Sequence, residues 1–260
     1  MAIQSVHRAL KILDLFSYGK SRIGISEISR SLGLHKGTVQ SLVRTLAEDG
    51  FLDQDHETQK YQLGLKIYEL GVIQKDNLGI NKSALVPAQE LARKTGKLVR
   101  IGVWHEDSVL ITLNAYPETR QNFREFGVRL PAYCTAMGKV FLAFSGKEEL
   151  DAYLEKTELI PYTGHTIVHK EKFLKELLET RKKGHSINRE EHMLFRKAIG
   201  APIYGPDGQL VASLGLVMDP DQSDDVEEKA SVWVRDVLIT AYRISQSMGY
   251  FNEPLPAVMR

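Results

Sequence analysis

ISEISRSLGLHKGTVQSLVRTLAEDG, residues 25–50, is the stretch whose reading decides the fold of the first part of the chain. Ser26 has N-cap chemistry, Ile28 and Leu32 fall on one helical face, and Gly33 is a residue that ends a helix in the left-handed conformation. Beyond the Gly33-Leu34 turn, Val39, Leu42, Val43 and Leu46 recur at helical spacing until Gly50. Two short helices broken by so tight a turn predict a helix-turn-helix. Upstream, Val6, Leu10, Leu13 and Phe16 predict a helix closing at Gly19. Downstream, Phe51-Leu52 and Lys60-Tyr61-Gln62-Leu63 predict two short strands around a polar turn, Asp53 to Gln59. Helix, helix, turn, helix and hairpin, in that order, make a winged helix-turn-helix.

The polar face of the third helix carries the chemistry that reads DNA. Packing claims Val39, Leu42, Val43 and Leu46, which leaves His35, Lys36, Gly37, Thr38, Gln40, Ser41 and Arg44 outward. Lys36 and Thr38 lie where a helix N-terminus binds phosphate, and Gly37 lets the backbone approach. Gln40 has the donor and acceptor pair for an adenine edge, and Arg44 suits guanine or phosphate. The hairpin offers His56, Thr58, Gln59 and Lys60 to neighbouring phosphates. Residues 1–46 hold seven basic residues, Arg8, Lys11, Lys20, Arg22, Arg30, Lys36 and Arg44, against Asp14 and Glu27. The whole 260-residue chain is nearly neutral, at +1. A basic end on a neutral chain suits a polyanion-binding module joined to another kind of domain.

The rest of the chain reads as one α+β domain. Leu65, Ile67, Leu70 and Ile73 predict a connecting helix, followed by a helix over Ala84–Lys94. Val99, Ile101 and Val103 alternate, as do Val109, Ile111 and Leu113, which predicts a hairpin. Helices are expected over Thr135–Phe144 and Phe173–Lys182, and a second hairpin pairs Ala198–Tyr204 with Leu210–Met218 across Gly205-Pro206-Asp207-Gly208. Val226, Ala230, Val234, Val237, Ala241, Ile244 and Met248 form the stripe of a long last helix. The domains expected are 1–64, a connecting helix at 65–80, the α+β domain at 81–250 and a tail at 251–260. A single cysteine, Cys134, excludes an internal disulfide and a cysteine-based zinc site and fits a reducing compartment. No apolar run reaches the length of a membrane span, so a cytoplasmic protein is expected.

These motifs resemble the IclR family of bacterial transcriptional regulators. SVHRAL at 5–10, ISEIS at 25–29, GLHKGTV at 33–39, LAEDGFL at 46–52 and KYQLG at 60–64 are similar to its DNA-binding domain. PAYCTAMGK at 131–139, and EEH at 190–192 through AIGAP at 198–202, are similar to its effector domain. The resemblance implies a dimer or dimer of dimers on a palindromic operator in double-stranded DNA, contacted by Arg8 and the residues above. It also implies a GAF-like domain, a mixed sheet flanked by helices, that binds a small metabolite, with no cofactor and no metal. Its pocket would be built from Tyr133, Cys134, Thr135, Ala136, Met137 and Gly138, from Asn188, Arg189, Arg196 and Ala198, and from Ser213, Gly215 and Val217. The chain departs from the family pattern at Ser41, often arginine there, and at Gly37, often serine. Members that bind very small acids carry a cysteine and two serines where this chain has Ala198, Gly215 and Val217. Losing those three donors implies a larger or more apolar pocket, with an organic anion held by Arg189 or Arg196.

Two other classes are weighed. Cys134 with His105, His165, His185 or His192 has the residue types of a nucleophile and its base, but no motif accompanies them. His165 and His169, or Glu191-His192, have metal-ligating chemistry, yet Pro161 and Gly164 argue against a helix that would align the first pair. A dimerisation domain without a ligand is the third alternative.

Overall fold

A computed structural model describes residues 3–117, 129–218 and 226–251. Two compact units divide the chain, Met1–Asn77 and Leu78–Arg260. In the first, helices α1 (Gln4–Leu13), α2 (Ile25–Leu32) and α3 (Lys36–Glu48) precede strands β1 (Leu52–Gln54) and β2 (Tyr61–Leu63) and helix α4 (Leu65–Asn77). Ile12, Ile23, Ile28, Val39, Val43, Leu52 and Tyr61 form its core. Tyr61 also exchanges backbone hydrogen bonds with Ile23, which ties the wing to the segment before α2. Gly33 takes φ +64°, and Leu34 donates to the Ser29 carbonyl at 3.1 Å, so the helix-turn-helix forms as expected. The cap of α2 differs from the reading. Gly24, not Ser26, is its N-cap, because the Glu27 carboxylate reaches back to accept the Gly24 N–H at 3.1 Å. In α1 the expected stripe also divides: Leu13 and Phe16 pack against the core beside the buried Ile12, a position outside that stripe, whereas Val6 and Leu10 are exposed in line with Ile3.

The second unit opens with α5 (Gly79–Thr95), β3 (Leu98–His105), β4 (Ser108–Ala115) and β5 (Arg129–Pro131). It continues with α6 (Ala136–Phe144), α7 (Lys147–Lys156), α8 (Lys170–Lys183), β6 (Ser186–Arg189), β7 (Lys197–Tyr204), β8 (Leu210–Met218) and α9 (Val226–Ser247). The sheet order is β5-β4-β3-β8-β7-β6. Every pairing in it is antiparallel, so the mixed sheet expected is corrected. Both long hairpins join their own strands directly, and where the chain crosses over to bring β8 beside β3 the two strands run in opposite directions. Alternation sends Val99, Ile101, Ile199, Ala201, Leu214 and Leu216 to one face, where they pack with residues of α5 and α9. The other face meets α6, whose residues 136–143 are all buried. The strands β5 and β6 and the helix α7 have no counterpart in the sequence reading. They are three, four and ten residues long, and α7 buries only Tyr153, too little for a visible period. Of the stripe assigned to α9, the side chains of Val226 and Ala230 lie outside the described residues, as does the tail beyond residue 251. No described helix is long and apolar enough to cross a membrane.

Candidate nucleic-acid interface and effector cavity

On α3, Val39 and Val43 are fully buried, while Lys36, Gly37, Thr38, Gln40, Ser41 and Arg44 are all exposed. The N-cap residue His35 makes no side-chain cap bond, and the first α-helical bond runs from Val39 N to His35 O. The N–H groups of Lys36, Gly37 and Thr38 therefore point out of the helix end without a partner in α3. A Cβ at Gly37 would meet nothing within 4 Å, so the open approach there belongs to the surface itself. Ser41 donates its hydroxyl to the Gly37 carbonyl at 3.1 Å, which leaves its oxygen as an acceptor. Arg44 meets Glu48 loosely, Nε to Oε1 at 3.7 Å, one turn along an exposed face. Arg8 is half-buried on α1.

The wing is held from within. The Thr58 N–H and hydroxyl both donate to Asp55 Oδ1 at 2.8 Å, and Arg22 pairs with Asp55 at 2.9 Å. The two bonds from Thr58 hold the Asp55 carboxyl below its usual range. Thr58 thus shapes the turn, and its donor is already used. Lys60 lies 3.8 Å from Glu27, whose carboxyl is also lowered, first by the Gly24 N–H and less by Lys60.

In the second unit a cavity lies between the sheet and the N-terminal end of α6. Its lining takes Arg100 from β3, Gly215 and Val217 from β8, Ala198 from β7, Asn188 from β6 and Leu130 from β5. Thr135, Ala136 and Met137 close it from α6, and His192, Met193 and Arg196 from the loop between β6 and β7. The register makes this floor: Gly215 stands between Arg100 and Gly200, and Val217 faces Ala198. Thr135 caps α6, accepting from Gly138 N at 3.3 Å and donating to the Pro131 carbonyl at 2.7 Å. Its one hydroxyl proton is thereby committed. Asn188 donates through Nδ2 to the Cys134 carbonyl. A Cβ at Gly138 would sit 2.2 Å from the Ala132 carbonyl oxygen, so the chain crosses α6 where only glycine fits.

Several residues expected in the pocket lie elsewhere. Arg189 is exposed outside the cavity, and Ser213 is fully buried on β8 without lining it. Tyr133 and Cys134 belong to a separate apolar cluster with Phe173 and Leu177, and Tyr133 donates to the Ile160 carbonyl. Burial pushes the Cys134 thiol up to about 12, with the Glu191 carboxylate adding to it, the opposite of an activated nucleophile. Sequence reading missed Arg100, Leu130 and Met193 and considered His192 only as a catalytic or metal residue. Arg100 stands in an otherwise apolar strand and is only 5% exposed, and that contrast was the available signal. Desolvation, then Arg196 and Arg100, lowers the His192 pKa, so the imidazole is neutral at pH 7. Among the described residues no group of three His, Cys, Asp or Glu side chains could hold a metal.

Comparison with known proteins agrees with this division. Residues 5–56 match the IclR helix-turn-helix domain model, and residues 73–246 match the model of the bacterial transcriptional regulator IclR C-terminal domain. The chain is 34% identical over 226 residues to the HTH-type transcriptional regulator XynR of Escherichia coli K12, covering 86% of this chain and 90% of that protein. The IclR structure from Thermotoga maritima superimposes with a TM-score of 0.72 at 25% identity, over 96% of this chain and all of that one. An IclR homologue from Microbacterium hydrocarbonoxydans, crystallised with 4-hydroxybenzoate, shares the fold with a TM-score of 0.79 at 22% identity, over 94% and 99% of the two chains.

Proposed function

The chain belongs to the IclR family of bacterial transcriptional regulators, and from that premise we propose how its two units act. It is a ligand-responsive DNA-binding regulator. The α3 face made by Lys36, Gly37, Thr38, Gln40, Ser41 and Arg44 enters the major groove of a palindromic operator. Arg8 and Lys60 hold the flanking phosphates. The observation that carries this reading is the division of α3 into a buried Val39 and Val43 seam and a wholly exposed polar face whose helix end is uncapped by any side chain.

The second unit, read as GAF-like, binds a small organic acid or aromatic metabolite in the cavity under α6. Its cationic partners are Arg100 and Arg196, and the first-turn N–H groups of Ala136 and Met137 add the positive end of a helix. Val217, Leu130 and Met193 contact the ligand's apolar body. Arg196 takes the part that Arg189 shared in the sequence reading, because it alone of the two reaches the cavity. Binding shifts DNA affinity only by favouring one arrangement of a homodimer or dimer of dimers over another. In this reading the protein works in the cytoplasm, beside its operator.

The test begins with an operator fragment recovered by selection from random duplex DNA. Fluorescence anisotropy on that fragment compares wild type with Lys36→Ala and Arg44→Ala over a range of salt. A side chain that reads a base costs about 1–3 kcal/mol when removed and relaxes specificity at one position. A phosphate contact weakens all sequences alike and flattens the salt dependence. Wild-type affinity in both variants would sink the assignment of α3.

A further inference from the structure

Replacing family donors by Ala198, Gly215 and Val217 leads one to expect room in the cavity. At Gly215 the structure fills that room from α6. Gly215 on β8 and Gly102 on β3 lie on the sheet face that meets α6, and Met137 is laid across both. A Cβ at Gly215 would stand 2.7 Å from the Met137 Sδ and 2.8 Å from its Cγ. A Cβ at Gly102 would stand 2.9 Å from the Met137 Cε. The thioether therefore covers Gly215 and shares the groove over Gly102 with Val109, whose Cγ1 would stand 2.5 Å from a Cβ there. The cavity left beside it is about 50 Å³. An apolar cavity that accepts benzene is roughly 150 Å³.

We infer that Met137 is the residue that sets ligand size at this site, so that the chain selects compact aliphatic carboxylates and excludes aromatic ones. The inference rests on the effector reading above and narrows its ligand class. Arg100 and Arg196 line the cavity and carry the guanidinium N–H groups suited to a carboxylate. The discrimination lies at the other end, where the ligand's body meets the thioether. Met137 is buried at 3% exposure and also packs with Val109, Ile111, Leu130 and Phe141, which limits the directions in which it can give way. A misfit of one methylene in an apolar pocket discriminates by about 10–200-fold, so a whole ring is refused. The glycines matter as much as the methionine, because a side chain at position 215 would force the thioether out of the groove.

Calorimetry on the full chain tests this with propionate, pyruvate, benzoate and 4-hydroxybenzoate. The variants are Met137→Ala, Met137→Leu and the double variant Met137→Ala with Gly215→Val. Wild type is expected to prefer the better of the two aliphatic acids over benzoate by about tenfold or more. Met137→Ala is expected to cut that ratio by about tenfold, through a gain in affinity for the aromatic acids. Met137→Leu, of similar bulk, keeps the wild-type ratio, and refilling the groove from Gly215 restores it. An unchanged ratio in Met137→Ala, or benzoate binding to wild type as tightly as the aliphatic acids, overturns the size assignment while leaving the site an acid-binding one. Failure of every acid to bind every variant overturns the effector reading and this inference together.

Discussion

Lys139 is fully buried, and its ammonium is spent on three acceptors: Glu176 Oε1 at 2.9 Å, the Ile187 carbonyl at 2.7 Å and Glu191 Oε1 at 2.8 Å. One side chain on α6 thus ties down α8, β6 and the loop that carries His192 and Arg196. Removing the lysine strands the Glu191 carboxylate, 6% exposed, where water cannot solvate it, while Glu176 keeps partial access to solvent. Lys139→Met should therefore destabilise the second unit by roughly 3–5 kcal/mol in urea denaturation. A change under 1 kcal/mol would show that the cluster contributes nothing. Sequence reading gave no hint of this burial, since lysine is ordinarily a surface residue and Lys139 stood out only as part of a motif. Cys134 was conspicuous as the only cysteine, but its neighbours were not legible. With its thiol held near 12 and no exposure, it should resist a thiol reagent in the native protein and react on unfolding. Fast native labelling would contradict the packing described.

At the scale of elements, α4 and the outer face of α1 are the unusual pieces. No described residue of α4 is buried, yet Leu65 is 79% exposed and Tyr68 73%, with Leu70, Val72 and Ile73 also exposed. Ile3, Val6 and Leu10 add a second apolar stripe on α1 within the same unit. Apolar patches of this kind mark interaction sites. A second copy of the chain is the partner that the proposed two-fold reading of a palindrome requires. The double variant Tyr68→Glu with Ile73→Glu should raise the dimer dissociation constant at least about tenfold in sedimentation equilibrium, the effect of about 1.4 kcal/mol. A wild-type monomer at micromolar concentration would remove the proposed assembly altogether. The apolar stripe of α4 was visible in the sequence as Ile67, Leu70 and Ile73. The direction of the α1 stripe was not, because helical spacing shows that residues share a face without saying what lies against it.

For the whole molecule, two partly buried histidines add a loss of stability just on the acid side of neutrality. Burial, helped in His192 by Arg196 and Arg100 and opposed in His185 by the Lys183 carbonyl, lowers both pKa values below 6.5. The unfolded chain then binds protons that the folded chain refuses, so stability is full above about pH 6.5 and falls as the pH drops through the lowered values. Denaturation midpoints from pH 7.5 to 5 should decline, and His192→Gln with His185→Gln should flatten the slope. A slope unchanged in the double variant would assign the loss to other groups. A bound anion works the other way at His192, since its negative charge offsets that of the two guanidiniums and raises the imidazole. Acid binding should accordingly take up protons on the acid side of neutrality, seen as a buffer-dependent enthalpy.

The sequence by itself determined the helix-turn-helix, the wing, the two long hairpins and the exposed polar face of α3. Each rests on local rules: a glycine at φ +64° closing α2, apolar spacing of three and four, alternation of two, and a turn at Gly205–Gly208. What only the tertiary structure decided is what stands across from what. Arg100 reaches the cavity because β3 pairs with β8 and sends every second residue toward α6, a pairing between segments more than a hundred residues apart. Arg196 reaches it and Arg189 does not, because one lies in the loop over the cavity and the other leaves the exposed end of β6. The absence of three donors read as empty space, and the part of it over Gly215 is taken by Met137, since a close-packed interior fills from whichever element faces the gap.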